Sequence, residues 1–169
     1  MIQTKRFLLI DILDSDVKDI YKGLSNPEVT KYYAVHFGSM KATQEQMQWY
    51  NDLRTNKTGI WWKITAIKTG KFVGACGFND WNHERKSAEI GMWLLPDFWG
   101  KGIMQEALNA AFEYGFERMG LEKIEAFVEK GNSKCQNALD KMELKYVRTD
   151  TEEKNGVQIE VETFVKEKN

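Results

Sequence analysis

The sequence predicts an α+β fold: a central, mostly antiparallel sheet of about seven strands flanked by helices, with a glycine loop leading into the main helix. Three observations carry that expectation. Apolar residues alternate with a period of two between Gly59 and Leu95 and again near the C-terminus, as in half-buried strands. Elsewhere they recur every three or four residues, as in helices packed by one face. The 169 residues are 42% hydrophobic and 12% aromatic with only two prolines, enough for a sizeable core and incompatible with disordered, collagenous or low-complexity classes.

Arg6 to Leu13 is rich in β-formers and makes the first strand. Asp14-Ser15-Asp16 offers an N-cap for a helix over Val17 to Ser25, in which Val17, Ile20, Tyr21 and Leu24 share a face. Asn26-Pro27 opens a short helix carrying Val29, Tyr32 and Tyr33, and Thr43 with Gln46 resembles a capping box that starts a helix to about Arg54. Ile60 to Ile67 and Phe72 to Phe78 then form a hairpin around Lys68-Thr69-Gly70-Lys71. After the polar loop Asn79 to Ser87, Ala88 to Leu95 completes an antiparallel meander. Beyond Pro96, a glycine-bearing segment enters a sixteen-residue helix, Met104 to Met119, with Ala107, Leu108, Ala111, Phe112 and Gly115 on one face. Ile124 to Val128 is a short strand, and Asn132 or Ser133 caps a helix with Cys135, Ala138, Leu139 and Met142 on its apolar stripe. Tyr146 to Asp150 and Val157 to Val165 close the fold as a hairpin about Asn155-Gly156, and the charged end at Asn169 reads as a frayed tail. With no linker and no repeat, residues 1–169 read as a single domain.

Lysine plus arginine number 24 against 25 acids, so no global positive field draws the chain to nucleic acid or to a membrane surface, and function must lie in a local site. Cys76 and Cys135 belong to no CxxC or CxxH pair and His36 and His83 stand apart from both, so no metal is expected. Two free thiols suit a reducing, cytoplasmic compartment. Met1 to Asp11 mixes Lys5 and Arg6 with a short apolar run and has no small-residue cleavage site, so it reads as a strand and not a signal peptide, and no apolar run is long enough to span a membrane.

The segment from Leu94 to Ala107 holds the chemistry, because it passes from a strand through Gly100-Lys101-Gly102 directly into a helix. Amides at a helix start lack intrahelical partners and sit at the positive end of the macrodipole, and glycines let a phosphate approach without a Cβ in the way. The loop is neither a Walker loop nor a full GxGxxG, and a bare Gly-Lys-Gly reads equally as a sharp turn or as an anion cradle. Its surroundings add more. Three antiparallel strands before the loop and a strand and helix after it resemble the GNAT superfamily of acyl-CoA-dependent N-acetyltransferases, whose loop reads Gln/Arg-x-x-Gly-x-Gly/Ala. Here the frame is Trp99-Gly100-Lys101-Gly102-Ile103-Met104, departing at its first and last positions. Trp-Gly-Lys-Gly followed by Glu106-Ala107, together with Ala88-Glu89-Ile90-Gly91, is similar to the branch of Rim-type ribosomal-protein N-terminal acetyltransferases. So is Asn132-x-x-Cys135 ahead of Lys141-Met142-Glu143-Leu144, where that branch has Asn-x-x-Ser and then Lys-Leu-Gly-Phe.

The resemblance implies an enzyme that moves an acetyl group from acetyl-CoA, as co-substrate, to a primary amine by direct attack in a ternary complex. It implies that the amides of Gly100, Lys101, Gly102, Ile103 and Met104 hold the CoA pyrophosphate; the Met104 side chain, larger than the family's glycine or alanine, either crowds the phosphate or turns into the core. It places main-chain groups of Leu94 and Leu95, and Asn132, along the pantetheine arm. The acceptor, a protein N-terminus, a polyamine, an amino acid or an aminoglycoside, is not specified, and a homodimer through the C-terminal hairpin is compatible with the pattern. A non-catalytic CoA-binding sensor or interaction module of the same fold is the alternative.

Transfer requires a neutral amine and a proton for the departing thiolate. At pH 7 an α-amine needs only about 1 to 1.4 kcal/mol to deprotonate and a lysine amine about 4.6 kcal/mol. Glu89 is the candidate base, since alternation puts it on one strand face with Gly91 and Trp93, beside the loop. A surface ion pair with Lys86 or Lys71 is the other reading, and Asp80 is a second candidate. Cys135 stands where the resembling branch has a serine thought to protonate the thiolate, and it also heads an apolar stripe as a buried, inert thiol would. Many family members place a tyrosine acid one turn further on, where this chain has Asp140. Tyr32, Tyr33, Trp49, Tyr50 and Trp81 lie in segments that line the acceptor cleft in relatives, and read either as that pocket or as core; His83 reads as a solvated turn residue.

Overall fold

The computed structural model describes residues 1–33 and 35–169. In chain order the elements are β1 (Ile2–Gln3), β2 (Phe7–Asp11), α1 (Val17–Leu24), α2 (Pro27–Thr30), α3 (Met40–Thr55), β3 (Ile60–Ala66), β4 (Phe72–Asn82), β5 (Ser87–Leu94), α4 (Ile103–Glu117), β6 (Lys123–Glu129), α5 (Ser133–Lys141), β7 (Lys145–Lys154) and β8 (Val157–Glu167). The α+β expectation holds. The eight strands form one sheet in the order β1-β2-β3-β4-β5-β6-β8-β7, antiparallel except where β5 meets β6. The eighth strand is the two-residue β1, which folds back on β2. No helix among the described residues is long and apolar enough to cross a membrane.

Strand alternation divides the core into two layers. Trp62, Ile64, Phe78, Ala88, Ile90 and Leu94 pack with α4 on one face. Trp61, Ala75 and Trp93 pack with α1 and α3 on the other. Pairing of β5 with β6 stops after Ser87, Ala88 and Glu89, whereas β5 stays paired with β4 as far as Leu94. From Ile90 onward one edge of β5 is therefore open, and this fork faces the start of α4 and the start of α5.

Several boundaries differ from the sequence reading: β2 is shorter, α2 ends at Thr30 and leaves Tyr32 and Tyr33 outside it, β7 runs on to Lys154, and four further differences have visible causes. Helix α3 starts at Met40, because Ser39 supplies the cap by accepting the Ala42 N–H at 3.1 Å; Thr43 is fully buried and bonds back to the Ser39 carbonyl at 2.9 Å. Strand β4 runs through the expected polar loop to Asn82, with a register break after Asn79 and Asp80 at φ +50°. Helix α4 closes at Glu117. The C-terminal end is not frayed: β8 reaches Glu167, and Lys168 donates from its backbone to Glu122 at 2.9 Å and from its side chain to Phe116 at 3.0 Å. Glu143, where the resembling branch has glycine, adopts φ +64° and completes the same turn, with Leu144 N–H bonding to Leu139 and Glu143 N–H to Asp140.

Candidate functional site

Gly100 and Gly102 both take the left-handed conformation, at φ +71° and +69°, and Gly102 is the residue from which α4 starts. A Cβ built on Gly100 meets nothing within 4 Å, and one on Gly102 meets only the Arg6 guanidinium at 3.8 Å, so the space above the loop is open. Phe98 N–H donates to Leu95 and Trp99 N–H to Pro96, and the next amide with a backbone partner is Glu106, bonded to Gly102. Among the described residues the amides from Gly100 to Gln105 have no acceptor. A run of free N–H groups in a glycine nest at the positive end of a fifteen-residue helix could hold a polyanion, and a pyrophosphate fits the donor set. Met104 is half-buried and packs against the α4 layer, which keeps its side chain out of that space.

The loop is held from behind by residues the sequence reading missed. Glu106, in the first turn of α4, accepts from Thr4 Oγ1 at 2.6 Å, Arg6 N at 2.8 Å and Arg6 Nε at 2.6 Å. Arg6 in turn donates from its guanidinium to the Lys101 carbonyl at 3.1 Å. Because a trans peptide points its C=O and N–H in opposite directions, fixing the Lys101 carbonyl directs the Gly102 amide away from Arg6. Lys101 itself turns outward, its Nζ bonded to the Asp97 carbonyl at 2.6 Å. Nothing in the sequence pairs Arg6 with Glu106, one hundred positions away.

Across the fork stands the start of α5. Asn132 caps that helix, its Oδ1 accepting Cys135 N–H at 3.3 Å, which leaves the carboxamide NH2 available. Lys134, also missed, sits 5.9 Å from the Trp99 ring centre and adds a cation to this wall. Leu95 is less suited to a ligand than expected, since its N–H donates to Val73 and its carbonyl accepts from Phe98. The Leu94 carbonyl accepts the Trp99 indole at 2.9 Å. The backbone edge that is open belongs instead to the residues from Ile90 onward.

Glu89 lies at the mouth of this fork, half-buried, on the same face as Gly91 and Trp93. Burial pushes its carboxyl up to about 7; the Asp80 charge adds to this, the Asn79 side chain pulls back, and Asp80 hydrogen bonding and Glu125 push further. The surface ion pair is not formed, since Lys86 pairs with Glu122 at 2.5 Å and Glu89 has no cationic partner among the described residues. Asp80, the second candidate, raises the Glu89 carboxyl, and its own carboxylate accepts from Asn79 at 2.9 Å. Cys135 is half-buried against the α4 layer, and burial pushes its thiol up to about 11. Asp140 is exposed.

The five aromatics do not form one pocket. Tyr50 is buried against Trp61, while Trp49 caps the same pair from the surface with its ring 5.9 Å from Trp61. Trp81 is stacked on His83 at 4.2 Å, and His83 bonds the Lys57 carbonyl at 2.8 Å, so that histidine ties a turn together and is not merely solvated. Tyr32 reaches the Gly131 carbonyl at 3.4 Å. Tyr33 approaches β5 closely: its hydroxyl is 3.5 Å from where a Cβ on Gly91 would be, and it lines a cavity of about 440 Å³ with Thr30, His36, Phe37 and Lys154.

The family model described as the acetyltransferase (GNAT) domain matches residues 6–145. The uncharacterized N-acetyltransferase YoaA of Bacillus subtilis is 32% identical over 143 residues, covering 84% of this chain and 81% of that protein. Two solved structures share the fold. One is the Salmonella typhimurium acetyl transferase that modifies the N-terminal serine of 50S ribosomal protein L7/L12, with TM-score 0.89 at 18% identity, covering 98% of this chain and 97% of that one. The other is the spermidine N-acetyltransferase of Vibrio cholerae in complex with CoA and spermine, with TM-score 0.84 at 20% identity and 95% coverage of each chain. The glycine cradle, the fork beside it and the match over residues 6–145 lead to one assignment: this chain belongs to the GNAT family and is an N-acetyltransferase.

Proposed function

We propose that the protein binds acetyl-CoA through the amides of Gly100 to Met104 and transfers the acetyl group by direct attack to a primary amine entering from the α1–α3 side, with Glu89 as the base. The observation that carries this reading is the row of unpartnered amides following β5, the strand that also carries Glu89 at the point where its pairing with β6 stops. The open edge of β5 from Ile90 onward, reaching towards Leu94, and the Asn132 carboxamide flank the pantetheine arm. An amine loses its proton to Glu89 most readily when the two pKa values are close, so a carboxyl near 7 suits an α-amine better than a lysine or polyamine amine. A protein or peptide N-terminus is therefore the favoured acceptor, in line with the serine N-terminus that the Salmonella relative modifies. The chain acts as one domain in the cytoplasm, where its two free thiols stay reduced. The β7 edge, with Tyr146 and Val147 exposed, is the surface on which a second copy would pair.

Thermal unfolding tests the cradle. Acetyl-CoA at 100 times its dissociation constant contributes about 2.7 kcal/mol and raises Tm by several degrees. Arg6→Ala shifts the concentration needed for that rise upward about tenfold, the equivalent of one charge-assisted hydrogen bond. A shift with ATP or NAD and none with CoA overturns the assignment of the cradle. Free-thiol release with an N-terminal peptide exceeding that with spermidine supports the acceptor class, and the reverse order overturns it.

A further inference from the structure

We propose that Tyr33 donates the proton to the departing CoA thiolate, a role that rests on the acetyl-transfer reading above. Tyr33 follows α2, far from the glycine loop in sequence, yet its hydroxyl comes within 3.5 Å of the Cβ position of Gly91, two residues past the last β5–β6 pair. Gly91 makes that approach possible: a side chain there would also meet the Trp61 ring at 2.6 Å. The hydroxyl has no hydrogen-bond partner among the described residues, and the residue borders the cavity that leads in from the surface. Charges on Tyr50 of α3, Glu89 of β5, Cys76 of β4 and Cys135 of α5 all act on this hydroxyl. Lys31, His36 and Lys154 rim the outer side of the same cavity. Asp140, at the position where many family members have the tyrosine acid, is exposed.

The proton inventory closes on residues already present. The amine nitrogen bonds to the acetyl carbon and gives its proton to Glu89, the carbon–sulfur bond breaks, and the sulfur takes the Tyr33 phenolic proton. Glu89 then returns its proton to the Tyr33 oxygen, so the pair starts each turnover in the same state. Burial, followed by the Tyr50 and Glu89 charges, holds the Tyr33 phenol well above its usual value, so it stays protonated at working pH. A thiolate formed in the same dry fork is raised as well, as the Cys135 thiol at about 11 shows, which brings donor and acceptor nearer to balance.

Tyr33→Phe keeps the ring and removes only the donor. Expected are a kcat lower by roughly 10² to 10⁴, an unchanged KM for acetyl-CoA and an unchanged thermal shift with that ligand. Replacing Tyr33 with 3-fluorotyrosine, which lowers the phenol pKa, is expected to move the alkaline limb of the kcat–pH profile to lower pH. A Tyr33→Phe enzyme within about threefold of the parent overturns the proposal, as does a fluorotyrosine enzyme with an unmoved limb. Loss of turnover in Cys135→Ala with Tyr33→Phe fully active transfers the role to the thiol. A parent protein that ignores acetyl-CoA in the thermal assay is a different failure, that of the cradle.

Discussion

The two faces of the sheet are built to different standards. The layer under α4 is filled by Trp62, Ile64, Phe78, Leu121 and Ile124, each at most 1% exposed, and none of its polar side-chain atoms is buried without a partner among the described residues. The layer under α1 and α3 is more aromatic, and it contains Tyr50 Oη, Trp61 Nε1 and Trp93 Nε1, all buried and all unpaired. An unsatisfied buried polar atom costs about 1 to 3 kcal/mol. The face that carries Glu89 and Tyr33 is thus the less stable one, while the face behind the glycine loop supplies the rigidity that keeps the cradle in shape. On the proposed roles of Glu89 and Tyr33, stability and chemistry are divided between two sides of the same strands.

Substitutions can break that comparison or sharpen it. The largest effect is expected from Phe78→Ala in the α4 layer: Phe78 is 0% exposed, and its truncation costs about 3 to 5 kcal/mol in chemical denaturation. A cost near 1 kcal/mol would mean that this layer collapses around cavities and is not the rigid one. Glu89→Gln is expected to act in the opposite direction. Below the ordinary carboxylate pKa both folded and unfolded chains hold the proton. Between there and about 7 only the folded chain does, and above 7 the folded chain carries the full penalty of a desolvated charge. Stability of the parent therefore falls as pH rises from about 4.5 to 7, and the glutamine variant gains on the order of 2 kcal/mol at pH 8 and nothing at pH 4. The same variant loses the acid limb of the rate profile; an unchanged rate and profile would remove Glu89 from the chemistry. Tyr50→Phe has the smallest expected effect, a gain of about 1 kcal/mol from deleting an unpaired hydroxyl. A loss of that size would show the hydroxyl to be bonded to Gln46 or Trp93 in solution, and the contrast between the faces would weaken.

Much of this architecture was legible in the residues because the signals are local. Period-two stretches located the meander, Asn155-Gly156 located the closing turn, and Gly100 and Gly102 located the loop where free amides gather. Alternation alone puts Glu89 on one face with Gly91 and Trp93, since neighbours on a face are fixed by strand geometry. Boundaries failed where two caps competed, as with Ser39 against Thr43, and where a strand survived a register break at Asp80. The end of the chain was misread because lysine and glutamate are polar in any context, and only the neighbouring Glu122 and Phe116 carbonyls give Lys168 a place.

What the sequence determined by itself is the order of elements, the glycine nest and the alternation that puts Glu89 opposite the α4 layer, all consequences of short-range backbone and side-chain preferences. What only the tertiary structure decided is which distant groups meet there. Arg6 reaches the Lys101 carbonyl, Tyr33 comes to Gly91, and burial, helped by the Asp80 charge, lifts Glu89 to about 7. Those effects depend on distance and desolvation in space, and sequence separation encodes neither.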